Sequence, residues 1–313
     1  MKFVSIDRNQ YSTHQIIGEN NLLYFIATLL IFGSMEVVSK PLMGVVDPFT
    51  LTLWRFVLGL IFLMLVPGTF KRVKEIRSLS LKSYSSLALL GFLNVFFSMS
   101  MLQLAVKYSS AATAATIFCS NPIFVFLLAL SVGTEKFSKR KVAGLILGVV
   151  GIFLIMNEKG IVYKSGMMFA VLGALSFSVY TVLSKKVVAG ITPVTINIVS
   201  FGFGIMINVV FIGLTGREFL PSTEILSSTT HLLAILYLGV VVSGLGYITF
   251  FNTIKKYTAV SASLIFMLKP VAAIILAFLF LKEDFPEIFF FGFIFITGGS
   301  FLIISSKLKK IKV

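Results

Sequence analysis

The chain has 313 residues, 57% of them hydrophobic and only 12% charged, with a formal net charge of +15 and a mean hydropathy of +1.00. Soluble domains are about a quarter charged, so this composition excludes an ordinary water-soluble fold. A single cysteine, Cys119, excludes an internal disulfide and points to no redox compartment.

Apolar residues arrive in ten blocks: 21–43, 49–67, 83–106, 109–132, 141–157, 165–188, 193–214, 231–252, 258–281 and 286–306. Each can cross a hydrocarbon layer of about 30 Å as a helix rising about 1.5 Å per residue. None alternates like the strands of a β-barrel, so the expected class is an all-α membrane protein with ten transmembrane helices. The first twenty residues, MKFVSIDRNQYSTHQIIGEN, hold no apolar core and no small-residue cleavage site. They are expected to be a cytoplasmic tail without a removable signal peptide, with the first block acting as the uncleaved entry signal.

Taken in chain order, the polar residues inside these blocks are few. Glu36 is the one acid placed within a span, and Lys40, four residues on, shares its helical face and is within reach of it. Arg55 enters the second block at a similar depth. A charge at mid-bilayer costs ~2.5 kcal/mol or more, so such groups face a cavity or a partner. Two roles fit the trio: an ion cluster pinning spans one and two, or a site where Glu36 takes a proton or a substrate ammonium. Asn94 and Ser98 share a face of span three, Thr113, Thr116 and Ser120 a face of span four, and Asn197 and Asn208 a face of span seven. These either bond between helices or line a cavity.

Two apolar runs contain a proline preceded by a polar residue, IFCSNPIFV at 117–125 and IFMLKPVAA at 265–273. Proline lacks an N–H and clashes with the preceding turn, so Pro122 and Pro270 are expected to bend their helices. Lys269 would then present its ammonium to an anionic solute group, or pair with Glu36. Ser120 and Asn121 offer uncharged donors and acceptors at the corresponding bend. Tyr180 and Tyr247 are aromatic walls or packing, Gly144 and Gly148 a small-residue packing face, and Glu135 and Glu283 loop caps or ion partners at the membrane surface.

The two proline runs belong to a repeat. Residues 117–155 match 265–303 at 13 of 39 positions with a constant offset of 148, including Pro122/Pro270, Glu135/Glu283, Phe137/Phe285, Gly144/Gly292 and Gly151/Gly299. Upstream, an offset of 145 pairs Ser39/Ser184, Lys40/Lys185, Pro48/Pro193, Thr50/Thr195 and Phe56/Phe201. The chain therefore divides into a tail at 1–20, a five-helix unit at 21–157, a second at 165–306 and a basic tail at 307–313. An odd number of spans per unit forces the second to lie upside down relative to the first, a recurring plan of secondary transporters with the solute site between the repeats.

Several of these residues resemble the drug/metabolite transporter superfamily in its ten-helix, EamA-like branch. The resemblance rests on Gly33-Ser34 with Lys40, Arg55, Lys-Tyr-Ser at 107–109 and Lys-Tyr-Thr at 256–258. It continues in the doubled series Pro122, Glu135, Gly144, Gly151 and Pro270, Glu283, Gly292, Gly299. Where that family often has an aromatic residue after Gly-Ser, this chain has Glu36. The resemblance implies a permease of small organic metabolites, often an exporter of amino acids, with a central cavity between the repeats; Lys40 and Arg55 recur in it.

No HExxH, CxxC or GxxxxGK[ST] pattern is present, and His14 and His231 lie in the tail and at a span edge. The expectation is a transporter and not an enzyme, without metal or cofactor, drawing on a proton or sodium gradient or on exchange. A zwitterion held between Glu36 and Lys269 would match an amino acid. A small organic solute and the lipid bilayer are the expected partners, and a monomer the expected state. A non-transporting sensor or assembly partner and a channel are the alternatives.

Of the 27 lysines and arginines, 19 fall in the tails and the loops on the side of the termini, against five on the other side. That bias places both termini in the cytoplasm of a bacterial cell and makes the charge an orientation signal, not a nucleic-acid footprint. A reporter fused to the C-terminus should be active on the cytoplasmic side; an outward-facing C-terminus would refute this orientation.

Overall fold

A computed structural model describes residues 19–67, 69–131, 137–157, 164–187, 190–221, 225, 227–256 and 259–308. The expectations for most of the N-terminal tail, His14, Glu135, the 257–258 end of Lys-Tyr-Thr and the last five residues lie outside that set. Among the described residues there is no strand, and a helix occupies each of the ten apolar blocks. Among the described residues seven helices are long and apolar enough to cross a membrane, and Leu268–Leu281 and Glu287–Ile303 form shorter apolar stretches.

The first block is not one helix. It comprises α1 (Glu19–Gly33), a short α2 (Met35–Ser39) and a 3-10 turn over Lys40–Gly44. Helix α3 (Pro48–Leu65) starts where Asp47 accepts a hydrogen bond from the Phe49 amide and Pro48 supplies a pre-set first turn. The basic α4 (Thr69–Arg77) was not legible as an apolar block; Glu75 on it accepts from the amide and hydroxyl of Thr192 and from the hydroxyl of Thr195. Helices α5 (Leu81–Gly91) and α6 (Met99–Tyr108) are joined without a break by a π-helical segment, Phe92–Ser98. Block four divides into α7 (Ala111–Phe118) and α8 (Asn121–Ser131), and α9 (Lys139–Met156) completes the first half.

The second half has α10 (Lys164–Val187) and α11 (Pro193–Leu214), then α12 (Thr229–Leu236) and α13 (Gly246–Lys256) joined by a π-helical segment, Tyr237–Leu245. Helix α14 (Ala259–Leu276) runs into a π-helical end at Ala277–Leu281, and α15 (Glu287–Leu308) follows. The two prolines thus behave differently. Pro122 sits in the first turn of α8, which follows a turn at Cys119–Ser120, whereas α14 remains helical through Pro270.

The packing contains the repeat. Helices α9 and α15 cross antiparallel, Gly144 against Gly299 and Gly151 against Gly292. Gly144 and Gly292 are repeat mates, as are Gly151 and Gly299, so each glycine meets the other's mate. Such an exchange is what a two-fold relation between the copies produces. A second set obeys the same rule: Gly91 packs on Gly204, and Gly239, its equivalent at offset 148, packs on Gly59, the equivalent of Gly204 at offset 145. The contacts of this second set ascend together along both helices, so these helices run parallel where α9 and α15 run antiparallel.

The α9–α15 crossing lets two backbones touch. A Cβ on Gly144 would stand 2.6 Å from the Gly299 carbonyl oxygen, and one on Gly151 would stand 2.6 Å from that of Gly292. Gly144→Leu and Gly151→Leu should each lower the thermal midpoint of the purified protein, at a cost of about 1–3 kcal/mol or more. Gly298→Ala, where nothing lies within 4 Å, should leave it unchanged or slightly higher.

Candidate functional site

Breaking the first block brings Glu36 to the centre of the protein. Gly33 approaches α14 so closely that a Cβ there would lie 2.8 Å from the Cβ of Ala272. On α2, one turn beyond, Glu36 is wholly buried and its Oε1 accepts a hydrogen bond from Lys269 Nζ in an ion pair, with Lys269 itself 1% exposed. The ammonium also lies 5.3 Å from the centre of the Phe118 ring. One partner of the pair comes from the first half of the chain, the other from the second.

A cavity of about 10 Å³ adjoins the pair. Its walls are the rings of Phe32, Phe118, Phe177, Tyr247 and Phe266, with Met35, Met99 and Lys269. That volume holds about one water molecule. The hydroxyl of Tyr247 donates to Asn94 Oδ1 at 3.0 Å, linking the wall to the first π-helical segment. On the opposite π-helical segment, Ser243 Oγ stands 3.5 Å from Arg55 Nη2 and donates to the Leu238 carbonyl. Such segments displace side chains from regular helical positions and concentrate at functional sites. Tyr237, on that same segment, meets the hydroxyl of Ser34 at 2.8 Å.

Arg55 is fully buried. Its Nη2 donates to Met35 Sδ at 3.1 Å, while Nε and Nη1 have no hydrogen-bond partner. It makes no ion pair among the described residues. The expected contact of Lys40 with Glu36 is therefore corrected: α2 ends at Ser39, and the 3-10 turn carries Lys40 away from Glu36, while Arg55 stays within electrostatic reach of Glu36 without pairing to it. Lys40 Nζ donates instead to the carbonyls of Val106 and Ser109, at 2.9 and 2.5 Å, closing the C-terminal end of α6. A cation there complements the helix dipole.

Beside it, Glu283 accepts from the amides of Ala111 and Ala112, at 2.8 and 3.1 Å, and caps the start of α7. Glu283 comes from the second half and α7 from the first. Asp47 pairs with Arg217 at 2.6 Å at another such junction.

The remaining expected site residues lie close by without joining the cavity wall. Ser120 donates to the Ile117 carbonyl of its own turn, and Asn121 is buried with Nδ2 unpartnered. Tyr180 packs against Phe177 and Phe251 with its hydroxyl unpartnered. Ser98 donates to the Gly173 carbonyl and Asn208 to that of Phe49, which are bonds between helices. Of the cavity wall, Tyr247 and Lys269 were named from the sequence, whereas Phe32, Phe118, Phe177, Phe266, Met35 and Met99 were missed. Within apolar blocks a phenylalanine facing a cavity reads like one facing lipid, and no signal separates them.

Comparison with known proteins bears on this arrangement. The EamA-like transporter family matches the chain twice, over residues 20–157 and 164–305. The chain belongs to the EamA-like transporter family. An uncharacterized transporter of Clostridium kluyveri is 32% identical over 296 residues, covering 92% of this chain and 94% of that protein. Protein PecM of Dickeya dadantii is 28% identical over 233 residues, covering 72% and 77%. The transporter YetK of Bacillus subtilis is 23% identical, covering 90% and 86%. One crystal structure superposes on 94% of this chain and 99% of its own with a TM-score of 0.65 at 20% identity, a likeness of fold alone. Together with the apolar helices, membership of this family makes the chain an integral membrane transporter.

Removing one member of a buried ion pair leaves the other charge stranded, at about 3–5 kcal/mol. Lys269→Met and Glu36→Gln should each reduce folded protein in membranes, measured by fluorescence-detected gel filtration. The double substitution should recover most of that loss. No recovery would mean that the two side chains are not coupled.

Proposed function

We propose that this EamA-family protein is a ten-span secondary carrier built from two inverted five-helix units, 21–157 and 165–306. On this reading it exports a small organic metabolite, such as an amino acid, across the bacterial cytoplasmic membrane by alternating access. The observation that carries the reading is the Glu36–Lys269 pair: it joins the two halves at a buried, aromatic-walled cavity. A carrier needs a site at the junction of the moving units, closed to both sides at one stage of its cycle. Room for about one water is incompatible with a pore open in this conformation, which weighs against a channel.

The chemistry of one step follows. A proton on Glu36 removes the charge that holds Lys269, and a solute that competes for either group does the same. Either event weakens the contact between the halves and favours rearrangement, which is how a proton gradient or exchange would drive the cycle. A sodium ion, drawn to the same carboxylate, is the second coupling ion consistent with the site. An amino acid fits only if the pair opens, its ammonium replacing Lys269 at Glu36 and its carboxylate replacing Glu36 at Lys269. With the termini cytoplasmic, Lys40 and Glu283 lie at the outer end of the bundle, and their bonds to the ends of α6 and α7 are contacts that outward opening breaks.

Protein reconstituted in liposomes loaded with an amino-acid mixture should show saturable counterflow of a labelled member of the mixture. Lys269→Ala should abolish it in protein that still elutes as a folded peak. Ohmic current through wild-type protein in a planar bilayer would instead establish a pore.

A further inference from the structure

The charges at the centre do not balance. Glu36 is the one carboxylate described in the interior of the bundle; Asp47, Glu75, Glu218 and Glu283 stand at helix ends and loops. It pairs with Lys269 and reaches Arg55 only as a nearby charge, so one carboxylate faces two buried cations and the three side chains carry a net charge of +1. A guanidinium carries five N–H donors. Here Nη2 faces a thioether sulfur and a hydroxyl at 3.5 Å, both weak or long contacts, and Nε and Nη1 face no acceptor. A cation held this way inside a membrane protein is costly unless an anion joins it.

The surroundings say where that anion arrives. Met35, the residue whose sulfur Arg55 touches, is itself part of the cavity wall. Methionine is unbranched and turns about three bonds, so a change of its rotamer opens the guanidinium to the cavity. The π-helical segment that offers Ser243 to Arg55 supplies a hydroxyl donor beside the same spot. The rest of the cavity wall is aromatic rings and Met99 apart from Lys269, which suits an apolar body and not a sugar or a nucleotide. No second carboxylate is described there to receive an ammonium.

We propose that Arg55 is the anion-binding residue of the central cavity and that the solute is a monoanionic organic acid with an apolar body. This rests on the carrier reading above, whose open states widen the cavity beyond its present volume of about 10 Å³, and changes its substrate class: the acid is read by Arg55 while the Glu36–Lys269 pair stays closed, so an amino group on the solute adds nothing. Binding neutralises the site, and the loaded carrier crosses its occluded state at lower electrostatic cost than the empty one.

The test uses the full-length protein, in detergent for thermal shifts and in liposomes for counterflow, with probes that share a body and differ in charge. These are phenylacetate and isovalerate, phenethylamine and isoamylamine, and phenylalanine as the zwitterion. The acids should raise the thermal midpoint and labelled phenylacetate should counterflow saturably. The amines should do neither, and phenylalanine should bind no better than phenylacetate. Arg55→Met should weaken phenylacetate by about ten- to a hundredfold, the loss expected for hydrogen bonds to a charged group. Its thermal midpoint without ligand should be no lower than that of wild type. Arg55→Lys, which keeps the charge but loses the fork, should retain part of the affinity.

Amines that bind as well as acids, or an Arg55→Met protein with unchanged acid affinity, overturn the proposal. If Arg55→Met does not fold, the comparison of acids and amines on wild type decides alone. Saturable counterflow of labelled phenethylamine or phenylalanine with none of phenylacetate sinks the anion assignment and leaves the carrier reading standing. Absence of saturable counterflow for every probe removes both.

Discussion

Glu36 and Lys269 form a salt bridge buried within the protein, and each is tolerable in the interior because of the other. Desolvating two charges costs several kcal/mol apiece, and only close contact with good geometry offsets that. The pair therefore constrains everything near it. Helix α1 must break so that α2 can aim Glu36 inward, Gly33 must let α14 approach, and α14 must hold Lys269 at the depth of the carboxylate. Because one partner belongs to each half of the chain, the bond is also the electrostatic seam of the molecule. Any event that neutralises or displaces one partner acts on the relation between the halves.

Around that seam the scaffold is close to symmetric and the chemistry is not. Equivalent glycines pack across the two-fold relation in α9 and α15, and again where α5 meets α11 and α3 meets the second π-helical segment. Both halves carry a π-helical segment at corresponding places. Yet the position before the proline is Asn121 in one half and Lys269 in the other, and the arginine of α3 has Ser200 as its equivalent at offset 145 in α11. On the carrier reading, a symmetric frame brings two opposed conformations near each other in energy. Asymmetric charges give the site a sign.

The connections at the helix ends belong to the same design. Lys40 and Glu283 satisfy the carbonyls and amides where α6 ends and α7 begins, and Glu75 does so where α11 begins. Each joins elements distant in sequence through backbone groups that would otherwise be unpaired. Such capping bonds are lost together when the helices separate, which suits contacts that must be either made or broken.

Much of this was legible in the chain itself, because bilayer physics acts on local sequence. Blocks of apolar residues are helices since lipid offers no partner for an open backbone, and the constant offset between Pro122 and Pro270 or Gly144 and Gly292 follows directly from the repeat. The presence of Glu36 and Lys269 as interior charges could be read, since their cost does not depend on what surrounds them. What they touch could not. Regular helical spacing assigned Lys40 to Glu36, and a break after Ser39 sent it elsewhere; similar depth grouped Arg55 with the same acid, and the packing set its guanidinium against Met35 and Ser243, with Glu36 reaching it only as a nearby charge. Position along a helix is a local property set by the residues in sequence, whereas ion partners, cavity walls and leftover charge arise only when distant helices meet.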